Sequence, residues 1–440
     1  MDILIKIAQL FLCFTILVGI HELGHFLMAR AFKIRVEKFY IFFDPWFSLF
    51  KFKRGDTEYG LGWLPLGGYV KIAGMIDESM DKEQMKQPVK PDEFRAKPAW
   101  QRLLVMVAGV MMTVLLAIVI YCAVCYTWGD SYFSNQDAKW GYNFNPTAHE
   151  MGFRDGDRFV SIDGEEIDNV MRVQNDLLIT DGGRRVIVER GGEPVTLDIP
   201  FESLLRMRQE KAYEDLFTLR LPFIVDSVSY TSAVEAGLES GDEVVAIDDL
   251  RDADYPRYRD YLQKHKNDKV LLTVRRDGAL IDSLALPVDA EGRIGVTVTN
   301  PYSLRTQYYT FWESIPAGIH KAGKTISSYW DQLKLIVQPK TQMYEELGGF
   351  IAIGSIFPST WDWQDFWMKT AFLSIILAVM NLLPIPGLDG GHALFTLWEI
   401  ITRRKPSEKF LEVAQYVGLM IILALLVDAN GNDIYRFFIK

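Results

Sequence analysis

The feature that most constrains the fold of this chain is the long apolar run at its start, residues 3–32. The charged side chains in this run are Lys6, Glu22 and Arg30, beside the two histidines His21 and His25. A helix of this length crosses the roughly 30 Å hydrocarbon core of a bilayer at about 1.5 Å per residue. We predict a transmembrane helix rather than a cleaved signal peptide, because the run is long and lacks both a strong basic start and a small-residue cleavage site.

Three of these side chains form an H-E-x-x-H motif, His21-Glu22-Leu23-Gly24-His25. On a helix His21 and His25 lie on one face, so both imidazoles can reach one cation. Such ligands suit zinc, and a site with three protein ligands keeps a position for a water molecule whose pKa the metal lowers to about 7. Glu22 would take the proton of that water. The pattern is often structural in soluble helices, but a charge at bilayer depth costs at least roughly 2.5 kcal/mol, which favours a functional site.

The composition fits a membrane protein with soluble parts. Of the 440 residues 49% are hydrophobic, and the net charge is -10. The sequence has no basic stripe with interleaved aromatic residues, so we expect no nucleic-acid partner. The cysteines all fall in apolar runs, at Cys13, Cys122 and Cys125, which argues against a disulfide framework.

Three further apolar runs, at about 100–128, 366–383 and 410–427, predict the second, third and fourth transmembrane helices. Lysine and arginine are frequent between the first two spans, so the positive-inside rule places that loop in the cytoplasm and both termini outside. The predicted divisions are 1–32 (first transmembrane helix), 33–97 (cytoplasmic loop with a membrane-associated β segment), 98–128 (second helix), 129–215 and 216–300 (two soluble domains on the outer side), 301–345 (amphipathic membrane-surface segment), 346–402 (glycine-rich loop and third helix) and 403–440 (cytoplasmic loop, fourth helix and tail).

Within the cytoplasmic loop, the segment from Tyr59 to Lys71 alternates glycine with bulky apolar and aromatic residues. This pattern predicts short β-strands with tight turns, and glycines allow another backbone to approach closely. The sheet edge either pairs with an extended peptide or only anchors the loop at the membrane surface.

The soluble region contains an internal repeat. Gly156-Asp157 and Gly241-Asp242 each follow a short helical pattern and precede an apolar strand that ends at Asp163 or Asp248. Both copies resemble the core of PDZ domains, the second more closely. We therefore expect two tandem PDZ-like α+β domains, which either bind extended peptides by strand addition or only restrict access.

The third apolar run leads into a segment rich in proline and glycine, Asn381-Leu-Leu-Pro-Ile-Pro-Gly-Leu-Asp389-Gly-Gly-His392. By helical rise His21 lies about 27 Å along its span and Asp389 about 34 Å along its own, so both reach the cytoplasmic half of the membrane. Irregular backbone at this depth requires a cavity or a protein cover. Asp389 is therefore the candidate third ligand. His392 is the competing ligand, although we interpret it as a supporting or structural residue.

Two segments precede this run. The spacing of apolar and basic residues over 302–338 predicts an amphipathic helix on the membrane surface, with a packed core helix as the alternative. The glycine-rich stretch from Leu347 to Gly354 predicts a loop near the active site.

These motifs together resemble the site-2 family of intramembrane zinc metalloproteases, most closely its bacterial regulator-of-sigma-E type. The resemblance implies four transmembrane helices, a membrane-associated β-hairpin or sheet, and one zinc ion per chain held by His21, His25 and Asp389. It further implies that Glu22 is the catalytic base and that Asn381 holds substrate backbone. Residues that would clamp the substrate strand are Gly60, Gly62, Gly67, Gly68 and Tyr69.

The resemblance also implies the biological setting. Substrates of this type are single-span proteins such as a pre-trimmed anti-sigma factor, and remnant signal peptides, in the bacterial inner membrane, with the PDZ-like pair as a size filter. The chain departs from the family pattern at Thr113 and Gly349, where asparagine and proline are common.

Two other function classes remain open from the residues alone. The first is a non-catalytic membrane adaptor whose PDZ-like domains bind peptide tails. The second is a metal-ion transporter, which would need further polar residues along the other spans, and the second span has almost none.

Overall fold

The computed structural model describes residues 2–65, 67–75, 88–252 and 254–436, so residues 76–87 of the predicted cytoplasmic loop lie outside the described part. The α-helices are α1 (Asp2–Ala31), α2 (Ala99–Trp128), α3 (Pro146–Glu150), α4 (Val173–Leu178), α5 (Phe201–Gln209), α6 (Thr231–Glu235), α7 (Tyr255–Lys264), α8 (Phe311–Ile336), α9 (Phe350–Ser355), α10 (Trp363–Leu382), α11 (Asp389–Thr402) and α12 (Glu408–Ile434). Short 3₁₀ helices span Phe94–Ala96, Asn135–Asp137, Val170–Arg172, Pro339–Thr341 and Met343–Glu346.

The strands are β1 (Val36–Ile41), β2 (Phe50–Arg54), β3 (Thr57–Leu61), β4 (Tyr69–Ile72), β5 (Asp130–Tyr132), β6 (Tyr142–Phe144), β7 (Arg158–Ile162), β8 (Glu165–Glu166), β9 (Arg184–Arg190), β10 (Glu193–Ile199), β11 (Phe217–Leu219), β12 (Phe223–Val228), β13 (Glu243–Ile247), β14 (Leu250–Arg251), β15 (Lys269–Arg276), β16 (Ala279–Pro287), β17 (Val296–Val298) and β18 (Arg305–Gln307). The first four form one sheet in the order β2-β3-β1-β4.

The described chain contains four helices that are long and apolar enough to cross a membrane, namely α1, α2, α10 and the part of α12 from residue 409. This finding confirms the predicted membrane protein with four apolar helices and additional β domains. Compact packing divides the chain into two units, residues 1–130 with 308–440, and residues 131–307.

In the first unit, helix α2 packs against α1, α8, α10 and α11. Close approach depends on small residues, because a Cβ on Gly318 of α8 would lie 2.5 Å from Cys122 Sγ on α2. Polar side chains also link neighbouring helices of this unit. Ser374 Oγ of α10 donates to the Thr113 carbonyl of α2 at 2.8 Å, and Arg102 Nη2 of α2 pairs with Glu399 Oε1 of α11 at 2.5 Å.

The second unit repeats one design twice. Its two main sheets have the orders β10-β9-β7-β8 and β16-β15-β13-β12-β17, each over its own apolar core. In both halves a fully buried aspartate, Asp157 or Asp242, accepts hydrogen bonds at 2.7 Å from an arginine, Arg190 or Arg276. Each aspartate also accepts from the backbone N–H three residues before it. The repeat read from the sequence is thus present in space, while the assignment of both halves as PDZ domains stays a prediction.

Three segments differ from the simplest sequence interpretation. The residues after Asp389 form helix α11, although Gly390 and Gly391 disfavour helix. The amphipathic segment contains helix α8, which packs against α2 and α10, and its place at a membrane surface stays a prediction. The glycine-rich stretch is helical from Phe350, in α9, and its Gly354 lies beside Leu10, about three turns of α1 away from His21. For residues 350–354 the expected loop is therefore wrong: they form a helix whose start is capped by Asp433 of α12, which accepts from two backbone N–H groups.

Candidate active site

Helix α1 presents both histidines of the H-E-x-x-H motif to the interior of the first unit. His21 and His25 are 8% and 7% exposed, and their Nε2 atoms lie 3.3 Å apart. Their spacing of four residues puts them on one helical face. His25 Nδ1 lies 2.8 Å from the Val105 carbonyl, and a carbonyl only accepts, so Nδ1 carries a proton and the neutral ring offers the lone pair of Nε2 to a metal.

Asp389 reaches the same point from the other side. Its Oδ2 lies 3.1 Å from His21 Nε2 and 3.2 Å from His25 Nε2. It is the first residue of α11, and the turn before it is tight, since a Cβ on Gly391 would lie 2.5 Å from the Ile385 carbonyl oxygen. The Gly-Gly pair thus lets the segment before Asp389 pack against the first turn of α11.

The three donor atoms form a triangle with sides of 3.1–3.3 Å. Zinc bonds of about 2.0–2.1 Å in a tetrahedron separate the ligand atoms by about 3.3 Å. Two imidazole nitrogens and one carboxylate oxygen are also ligand types that zinc prefers. Among the described residues these three are the cluster that could hold a metal, so the side chains present fit zinc in both spacing and chemistry.

Gly109 of α2 makes room for the two imidazoles, a role that the sequence reasoning missed. A Cβ at this position would overlap His25 Nε2 and lie 2.8 Å from His21 Cε1. Gly24 of α1 lies close by, and its Cβ would be 2.9 Å from the Gly109 Cα. In the sequence, the available signal for this role is a glycine within each of two apolar helices, because small residues mark places where membrane helices approach closely.

A cavity of about 770 Å³ opens beside the three donor atoms. Glu22 lines it, as do Asn381 at the end of α10 and His392 on α11. His392 lies one turn after Asp389, and the carboxylate of Asp389, not the imidazole of His392, completes the triangle. The cavity is also lined by Gln415 of α12, which the sequence reasoning counted only as part of an apolar span.

Strand β4 forms one wall of this cavity. Gly67, Gly68 and Tyr69 are among the lining residues, and β4 is an edge strand because only β1 pairs with it in the described sheet. Gly68 lies against α1, where a Cβ would be 2.6 Å from Val18 Cγ1 and 3.2 Å from Glu22 Cγ. The strand edge is therefore held directly beside the motif.

Gly60 and Gly62 are not part of the cavity wall, contrary to the expectation for them. They belong to β3 or directly follow it, and β3 pairs with both β1 and β2, so its edges are occupied. At both positions glycine is needed because neighbouring residues of the sheet pack closely there. A Cβ on Gly60 would lie 2.8 Å from Tyr40 Cδ1, and one on Gly62 would lie 2.5 Å from the Phe42 carbonyl oxygen.

Comparison with known proteins agrees with this geometry. The model of peptidase family M50 matches residues 9–425. A putative zinc metalloprotease of Clostridium perfringens is 29% identical over 96% of this chain and 96% of its own length. The regulator of sigma E protease of Haemophilus influenzae is 27% identical over 99% of this chain and its whole length. The chain therefore belongs to peptidase family M50, the site-2 proteases, which confirms the resemblance and the predicted intramembrane metalloprotease activity.

Proposed function

We propose that the protein hydrolyses a peptide bond within or beside the membrane span of its substrate, with one zinc ion held by His21, His25 and Asp389. The observation that carries this proposal is the triangle of donor atoms with sides of 3.1–3.3 Å beside Glu22, inside a unit built from membrane-length helices. Relatives over the full length that are named zinc metalloproteases support the choice of metal.

The residues around this site divide the chemistry among them. A zinc ion held by His21, His25 and Asp389 would supply Lewis-acid chemistry for polarisation of the scissile carbonyl. The Glu22 carboxylate takes a proton from the attacking water and returns it to the nitrogen of the leaving amine, so that one water is consumed for each peptide bond broken. The hydrogen bond from His25 Nδ1–H to Val105 keeps the ring oriented and its Nε2 free.

A transmembrane helix hides its carbonyls in hydrogen bonds, so the substrate must unwind before cleavage. We propose that the unwound segment adds to the free edge of β4, which lines the cavity. Gly67, Gly68 and Tyr69 would lie along it, and the Asn381 carboxamide would hold its main chain. Holding the segment extended would fix the scissile peptide bond in position beside the catalytic residues, which lowers the entropic cost of the reaction.

The regulator of sigma E protease among the relatives suggests the substrate class. We propose single-span membrane proteins, in particular an anti-sigma factor already trimmed on its outer side, and remnant signal peptides. The two repeated halves of residues 131–307 would act as PDZ-like filters that exclude untrimmed proteins by size. The proposed location is the bacterial inner membrane, with the termini and this unit outside and the active site in the cytoplasmic half.

The test is cleavage of a tagged single-span protein by the purified enzyme in detergent or lipid. Wild type is compared with Glu22→Gln and with wild type treated with a chelator, and we expect cleavage by untreated wild type alone. Zinc should remain bound to Glu22→Gln and be lost from Asp389→Ala. Cleavage that persists after Glu22→Gln or after metal removal would contradict the mechanism, and full zinc in Asp389→Ala would move the third ligand to His392.

A further inference from the structure

Gln415 is a polar residue on the membrane-length helix α12, and it faces the catalytic cavity. It is 7% exposed and lines the cavity together with Leu419 and Ile422. Steps of four and three residues place these side chains on one face of the helix. The cavity therefore meets α12 along a stripe in which one residue is polar and two are apolar.

The Gln415 carboxamide makes no hydrogen bond with the part of the chain that the structure describes. The buried polar groups of folded proteins are nearly always paired, and Gln415 is buried. A polar side chain at membrane depth is costly and is a functional candidate by default. A partner for Gln415 must then come from whatever occupies the cavity.

The occupant has a polar edge that needs such a partner. A peptide strand added to β4 pairs one edge of its main chain with the sheet, and its other edge keeps unpaired N–H and C=O groups. Those groups need hydrogen-bond partners inside the cavity, and a polar side chain that lines it can supply one. A glutamine carboxamide offers both donors and an acceptor, which matches a peptide unit.

Helix α12 packs directly against the loop that precedes the aspartate ligand Asp389. Gly418 packs on that loop so closely that a Cβ would lie 3.0 Å from Pro386 Cα. Gln415 is one turn away from Gly418, and Asp389 follows Pro386 by three residues. Movement of this part of α12 relative to the loop before Asp389 is therefore restricted by direct backbone packing.

We propose that Gln415 is a substrate-positioning residue, whose carboxamide hydrogen bonds to the outer edge of the unwound substrate strand. The inference rests on the proposed function. It adds the Gln415 carboxamide to that of Asn381 as a second side-chain amide that binds the substrate main chain. The ligand is the peptide main chain itself, so the contact does not depend on which side chains the substrate carries.

The experiment measures steady-state cleavage of a tagged single-span substrate by zinc-loaded wild type, Gln415→Met and Val417→Met. Methionine keeps the length of glutamine without its hydrogen bonds, and Val417 is 53% exposed on the same helix, so it is the matched control. We expect Gln415→Met to raise KM by about five- to tenfold with kcat within about twofold, because the bond is made in the bound complex and the transition state alike. Val417→Met should equal wild type, and the zinc content and melting temperature should be the same in all three.

A second measurement identifies the contact independently of the fold. Single peptide bonds of the substrate span are replaced one at a time by esters, which removes one N–H each. At the position that Gln415 contacts, the ester should weaken cleavage by wild type but not by Gln415→Met. Ester effects that are identical in both enzymes at every position would overturn the proposal, as would an unchanged KM in Gln415→Met. If wild type itself leaves every single-span substrate intact, the proposed function fails instead.

Discussion

Replacement of Gly109 by alanine tests whether α2 shapes the metal site. The new Cβ would lie 2.8 Å from His21 Cε1 and 2.9 Å from His25 Cδ2, and it would overlap His25 Nε2. Carbon atoms pack at about 3.5–4.0 Å, so the rings must shift by roughly 0.7 Å or more. A metal site tolerates only about 0.2 Å in its ligand distances.

We therefore expect Gly109→Ala to weaken zinc binding by at least about 10–100-fold, the loss typical when the groups that orient metal ligands are disturbed. Overpacking should also lower the free energy of unfolding by about 1–3 kcal/mol. Zinc affinity is measured by competition with a chromogenic chelator in detergent, and stability by thermal unfolding of the same preparation after metal loading.

The matched control is Gly323→Ala on α8, where the structure has no atom within 4 Å of the added Cβ. Alanine in an exposed helix position is neutral or slightly stabilising, so zinc affinity and activity should equal those of wild type. Wild-type zinc affinity in Gly109→Ala would refute the reasoning, because the two imidazoles would then not depend on the space that this glycine leaves.

Four further predictions concern stability and substrate cleavage. Burial acts to raise the pKa of Asp242, but hydrogen bonds from Arg276 and a backbone amide outweigh it and hold that pKa below its usual range. The contribution of the Asp242 carboxylate to the stability of the fold is therefore complete above about pH 4 and is lost as the pH falls further. Hydrogen exchange of β13 in the full-length protein will show this loss. Asp242→Asn should reduce the same protection at pH 7. Arg102→Met leaves the partly buried Glu399 carboxylate without its partner and should lower the melting temperature more than the double variant Arg102→Met/Glu399→Leu does. Gly68→Val should displace β4 from α1 and abolish cleavage while zinc stays bound, since the ligands lie on other elements.

The spans and the metal motif could be read from the sequence because both depend on local patterns. The predicted second span, about 100–128, agrees with α2 at Ala99–Trp128, since a single apolar run in a bilayer satisfies its backbone hydrogen bonds by forming a helix. His21 and His25 share a face through the helical repeat alone. Asp389 was linked to them by depth, an argument that needs only helical rise and the order of the spans.

The rest was decided by tertiary structure, because it depends on which distant segments meet. Strand order β2-β3-β1-β4 leaves β4 at the free edge and encloses Gly60, and no pattern within the glycine-rich segment reveals which strand is outermost. Gly109 and Gln415 resemble ordinary members of apolar helices in the sequence. The role of Gly109 follows from the packing of α2 against the two imidazoles. The role of Gln415 follows from the position of α12 at the wall of the cavity.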